Sequence, residues 1–114
     1  MLTQEVLDNH ILYLKKNKYR NKIQELKLEH CTDNKGDYIY LVQIIIKKSL
    51  RNTGYGSLVL SEVIKIANEH NVRIKLWVSG ILGGDVKRLY EFYGKHGFFL
   101  IKKDNDGYMI YNPH

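Results

Sequence analysis

The sequence holds a single cysteine, Cys31, among 114 residues. That excludes an intramolecular disulfide and any cysteine-rich metal spacing, so no metal site is expected, and a reducing compartment such as the cytoplasm is. The opening Met1-Leu2-Thr3-Gln4-Glu5 lacks both a basic leader and an uninterrupted apolar stretch. Neither a signal peptide nor a transmembrane helix is therefore expected, and no membrane partner. Repeats, low-complexity segments and linkers are also lacking, and the length suits one core, so residues 1–114 read as a single domain. Acids are scarce: 12 Asp and Glu stand against 18 Lys and Arg, a formal charge of +6 that favours an anionic partner. The densest basic run, Lys15 to Lys22, follows a predicted helix whose dipole it complements. No nucleic-acid motif accompanies it, so a phosphorylated small molecule is expected rather than a nucleic acid.

What is present is a run of alternating periods. Leu2, Val6, Leu7, Ile11 and Leu14 fall at helical spacing over residues 2–16. From Lys22 the period becomes two, and Asn34-Lys35-Gly36-Asp37 supplies a turn before the apolar run Tyr38 to Ile46. That run, nearly continuous and β-branched toward its end, predicts a strand at the centre of the sheet, covered on both faces. Helical spacing returns from Leu58 to His70, where Asn71 can take the left-handed position that ends a helix. Val72 to Ser79 alternates as a strand, and Gly80-Ile81-Leu82-Gly83-Gly84 follows as a flexible connection. A third helix, capped by Asp85 and burying Val86, Leu89, Tyr90, Phe92 and Tyr93, stops at Gly97. Phe98 to Ile101 and Tyr108 to Tyr111 flank Asp104-Asn105-Asp106-Gly107 as a closing hairpin, whose exposed edge could pair between chains as a homodimer. The order α-β-β-α-β-α-β-β predicts a mixed α/β (α+β) domain with a central, mostly antiparallel sheet flanked by helices.

The strongest chemical signal is Arg51-Asn52-Thr53-Gly54-Tyr55-Gly56-Ser57, between the apolar strand and a helix with no acid before Glu62. A strand-to-helix turn leaves backbone N–H groups unpaired, and glycines let an anion approach them without a Cβ in the way. Thr53 and Ser57 could add hydroxyl donors, and Arg51, Lys47 and Lys48 positive charge. The Gly-Lys-Ser/Thr ending of a P-loop is absent, as are the third glycine and the context of a dinucleotide fingerprint.

Arg51-x-x-Gly54-x-Gly56 after an apolar strand resembles motif A of the GNAT acetyltransferases, Gln/Arg-x-x-Gly-x-Gly/Ala. Leu89-Tyr90-Glu91-Phe92-Tyr93-Gly94-Lys95-His96-Gly97-Phe98 resembles the family's motif B, with Phe92-Tyr93 and Gly97-Phe98 at the matching offsets. The resemblance covers roughly Tyr38 to Tyr111. The N-terminal part is shorter than in most members, an economy shared with very small phage proteins that acetylate protein lysines.

The resemblance implies a GNAT-like acyltransferase domain that moves an acetyl group from acetyl-CoA, its cosubstrate, to a primary amine, a protein lysine or a small amine. It assigns the acyl carbonyl and pantetheine arm to the main chain of Gln43, Ile44 and Ile45. The pyrophosphate falls to Arg51, Asn52, Thr53, Gly54, Tyr55, Gly56 and Ser57. Tyr93 becomes the proton donor to the departing thiolate, with Tyr90 its rival. Two departures stand out: Trp77 where many members have a glutamate base, and Val86 where an asparagine often contacts the pantetheine arm. Glu29, His30 or a water chain could replace the base, and Lys87, Arg88 and Lys95 could add phosphate contacts. Loss of turnover with retained CoA binding is the alternative function.

Overall fold

The computed structural model describes residues 1–78, 86–103 and 107–114. Thr3 caps the first helix, α1 (Gln4–Tyr13), by accepting from the Val6 N–H at 3.1 Å. The helix then widens into a π turn over Leu14–Lys18, closed by Tyr19 N–H donating to the Leu14 carbonyl at 2.8 Å. The lysine run expected beyond a helix end thus begins inside that turn. Strands β1 (Ile23–Asp33) and β2 (Gly36–Ile46) form the predicted hairpin. After a 3-10 turn at Lys48–Leu50 come α2 (Tyr55–His70) and β3 (Arg73–Val78). The chain closes with α3 (Val86–Lys95), β4 (Phe99–Lys103) and β5 (Gly107–Tyr111). The proposed connection at 80–84, the Asp85 cap and the turn at 104–106 lie outside the described residues.

Among the described residues the sheet order is β1-β2-β3-β5-β4, with the β2–β3 pair parallel and the other three pairs antiparallel. The centre therefore belongs to β3 rather than to the apolar run of β2. Alternation in β3 turns Ile74, Leu76 and Val78 into the core and leaves Arg73, Lys75 and Trp77 on the outer face. In β2 the alternation slips. Leu28 pairs with Leu41 and Lys27 with Gln43, so Val42 is an extra, bulged residue. Before it Ile39 and Leu41 face inward; after it Ile44 and Ile46 do, and Gln43 goes to the outer face half-buried. β2 is thus covered on one face only, which corrects the expectation of two.

Val59, Leu60, Val63, Ile66 and Ala67 of α2 recur every three or four residues and pack into one cluster with the inward strand residues and Leu7 and Leu14. α2 ends as its sequence requires, with Asn71 at φ 54° and the Val72 N–H returning to the Ala67 carbonyl at 3.0 Å. α3 is more exposed than its pattern suggests: Val86, Leu89, Tyr90, Phe92 and Tyr93 lie against the core only half-buried. At the outer edge of β1, the Gln4 side chain accepts from His30 N–H at 2.7 Å and donates to the Leu28 carbonyl at 3.0 Å. On the outer face Asp33 takes a forked pair from Arg73, at 2.6 and 3.0 Å, and the Lys75 ammonium at 2.5 Å.

Candidate acyl-carrier site

Three residue pairs join β2 to β3: Tyr38 with Arg73, Ile39 with Ile74 and Tyr40 with Lys75. Beyond Tyr40 this ladder stops and the strands part toward their C-terminal ends, starting at the Val42 bulge, a feature that bends a strand. Gln43, Ile44 and Ile45 occupy the parted stretch and pair with Lys27, Leu26 and Glu25 of β1 on one side. Among the described residues no strand pairs with their other main-chain edge, as a role in gripping an extended ligand by backbone hydrogen bonds requires.

The glycine turn follows directly. Asn52 (φ 65°) and Gly54 (φ 90°) both take the left-handed conformation, which reverses the chain into α2 within a few residues. Gly54 is the N-cap and offers no side chain, and the first turn holds no acid. The Leu58 N–H is the first to find an intrahelical carbonyl, that of Gly54 at 3.2 Å. The N–H groups of Tyr55, Gly56 and Ser57 precede it at the positive end of a 16-residue helix. Beside the helix start lies a cleft of about 500 Å³ lined by Asn52, Gly54, Gly56 and Ser57 on one side and Arg88, Glu91, Phe92 and Lys95 of α3 on the other. Two cations and one acid thus face the helix start.

The structure divides the sequence-derived residues. Asn52, Gly54, Gly56 and Ser57 line the cleft, and Arg88 donates to the Asn52 side chain at 2.7 Å. Tyr55 is not among the lining residues, and its ring lies inward, edge-on to Tyr19 at 6.4 Å. The Thr53 hydroxyl donates to the Leu50 carbonyl and so braces the turn, and Arg51 Nε reaches back to the Ile46 carbonyl at 3.4 Å. Lys47, Lys48 and Lys87 are not among the lining residues. The sequence reading gives Phe92 to the core and to motif B, and gives Glu91 and His96 no role of their own beyond that motif. Positions 88, 91, 92 and 95 fall three and four apart, so one stripe of α3 was the signal for them.

Tyr93 packs between the rings of Phe92 at 5.2 Å and Phe98 at 5.5 Å. Burial pushes its phenol up to about 12, which keeps it protonated at neutral pH. Of the candidate bases, His30 is bound to Asp37 at 3.0 Å near the start of β2, about 30 Å of strand from the turn at its other end. Glu29 is exposed and 4.0 Å from Lys27. Trp77 is 49% exposed on the outer face and leans on Tyr108, ring centres 4.9 Å apart.

A mixed sheet whose parallel pair parts beside a glycine turn and an acid-free helix start offers a seat for an extended, anionic ligand. Residues 17–98 match the family model for the acetyltransferase (GNAT) family, and the chain belongs to that family. Among solved structures it is similar to a putative GNAT acetyltransferase from Bacteroides thetaiotaomicron, at 20% identity over 95% of this chain and 70% of that one, TM-score 0.59. It is also similar to Arabidopsis thaliana Naa50 in complex with the bisubstrate analogue CoA-Ac-MVNAL, at 16% identity over 96% and 93%, TM-score 0.61. The Bacillus subtilis N-acetyltransferase YlbP in complex with coenzyme A matches at 21% identity over 77% and 59%, TM-score 0.53. An acetyltransferase of the family from Staphylococcus aureus is likewise spanned over only 58% of its length. At these identities the likeness is one of fold. No sequence among the curated proteins matches the chain.

Proposed function

We infer that the chain transfers an acetyl group from acetyl-CoA to a primary amine, a protein lysine or a small amine, by direct attack on the thioester. Residues 1–114 act as one acyltransferase domain, and the free Cys31 accords with a cytoplasmic setting. Among the described residues no helix is long and apolar enough to cross a membrane. The observation that carries the reading is the cleft itself, where the start of α2, with Gly54, Gly56 and Ser57, faces Arg88 and Lys95 beside Glu91. Backbone donors and cations of this kind suit a pyrophosphate.

The neutral amine attacks the carbonyl carbon, the C–S bond breaks, and the thiolate leaves with a proton as the amine nitrogen loses one. Gln43, Ile44 and Ile45 orient the acyl arm with main-chain groups on the unpaired edge of β2. Tyr93 gives its proton to the sulfur and regains one from solvent; burial holds the phenol protonated until the thiolate forms, and makes it a weaker acid at that step. A lysine-like amine, with a pKa of about 10.4, still needs its own proton removed. Trp77, standing where many members place a glutamate, favours the second reading, a CoA-binding module without turnover.

Calorimetric titration with acetyl-CoA, beside a Gly54→Glu variant, tests the proposal. Binding by the wild type that weakens at least about tenfold in the variant supports the phosphate seat. An absence of wild-type binding overturns both readings. Binding without transfer to lysine peptides or a panel of small amines selects the second.

A further inference from the structure

The phosphate reading of the cleft, on which this inference rests, leaves one contacting side chain without a task. His96 follows α3, with its backbone N–H on the Tyr93 carbonyl at 3.1 Å and its ring 5.2 Å from that of Phe92. Its Nε2 lies 3.2 Å from Ser57 Oγ, across the gap between α3 and the start of α2. Burial, and then the charge of Lys95, hold the imidazole below its usual pKa in the free protein. On the α3 side the charged neighbours lining the cleft are Lys95, Glu91 and Arg88. The α2 group in contact is Ser57, and the first acid of α2, Glu62, is paired with Lys18.

We propose that His96 is a positioning residue for the phosphate end of acetyl-CoA: it sets the direction of the Ser57 hydroxyl proton and takes up a proton as the cosubstrate binds. Ser57 has one O–H to donate. When Nε2 accepts that proton, the hydroxyl presents only lone pairs to an arriving phosphate oxygen. When Nε2 carries hydrogen and donates, the O–H is free to turn to the phosphate. The imidazolium always donates at Nε2, and it adds positive charge one side chain away from the anion. Binding therefore raises the His96 pKa from its depressed free value. Affinity increases as pH falls through the bound-state pKa and levels off below the free-state one.

The test is calorimetry with coenzyme A across pH, in two buffers of different ionisation enthalpy, joined to an NMR titration of His96 in free and bound protein. The His96 pKa should rise by about one unit on binding, corresponding to about a tenfold gain in affinity from pH 8 to below the free-state pKa. His96→Gln, whose amide can still reach Ser57, should lose this share of proton uptake and Ser57→Ala should reduce it; the ligand's own phosphate titration persists in both and is subtracted. An unchanged proton uptake in His96→Gln, or a His96 pKa that does not move, overturns the proposal while leaving the cleft reading intact. Failure of coenzyme A to bind at any pH overturns both.

Discussion

A Cβ placed on Gly56 would stand 3.7 Å from Cζ of Phe92, whereas one on Gly54 would meet nothing within 4 Å. The two glycine positions of the turn therefore place different demands on a side chain. At Gly54 the demand is conformational, because φ is 90°, and Gly54→Ala should cost about 1–2 kcal/mol of stability. At Gly56 the demand is space across the cleft. Gly56→Ala should fold and bind acetyl-CoA nearly as well as the wild type, while Gly56→Leu should weaken binding about tenfold or more with little change in urea midpoint. Equal losses in both Gly56 variants would contradict the assignment.

Tyr93→Phe keeps the packing between Phe92 and Phe98 and removes only the phenolic proton. In an active enzyme kcat should fall about 10²-fold or more, with acetyl-CoA affinity within about twofold. Because burial raises the phenol to about 12, the wild type should show no loss of rate from Tyr93 ionisation up to about pH 10. Tyr90→Phe, measured alongside, should retain most of the rate; a reversed ranking would hand the role to Tyr90.

Asp33 anchors the outer face. Hydrogen bonds from Arg73 first, and then Lys75, hold its carboxyl well below the usual carboxylate range. A depressed folded-state pKa contributes stability that is complete above the unfolded value of about 4 and fades as pH falls toward the folded value. Asp33→Asn should accordingly melt lower than the wild type at pH 7, and the gap should narrow below about pH 4. A gap that stays constant down to strong acid would deny the pairing its role.

Gly97 carries φ 95°, and a Cβ there would approach Tyr111 Cε2 to 3.3 Å. Tyr111 is buried and tied by its hydroxyl to Asn68 of α2 at 2.9 Å, so it has little freedom to retreat. Strain and crowding together should make Gly97→Ala destabilising by about 1–3 kcal/mol in urea denaturation.

Much of this was legible in the residues. The alternation of Arg73–Val78, the three-and-four spacing of Val59, Leu60, Val63 and Ile66, and the stop at Asn71 are local patterns that survive into the fold. The strand order was not legible, because an apolar run such as Tyr38–Ile46 does not say how many of its edges are paired. Nor did it reveal the bulge at Val42, which changes the facing of every residue after it. At the site the turn was readable, since backbone chemistry there depends on adjacent residues. The α3 wall was not, because whether Phe92 or Lys87 faces Gly56 depends on how α3 is rotated over α2. The Thr53 hydroxyl, expected to serve the ligand, is satisfied within its own turn.

Gln4 occupies the place a further strand would take. With its side-chain amide filling the donor and acceptor that Leu28 and His30 present at the rim of β1, sheet extension on that side must first evict it. One residue of α1 thus makes the two rims of the sheet unequal: that of β1 is occupied, while among the described residues β4 ends the strand order with Phe99 and Ile101 44% and 51% exposed.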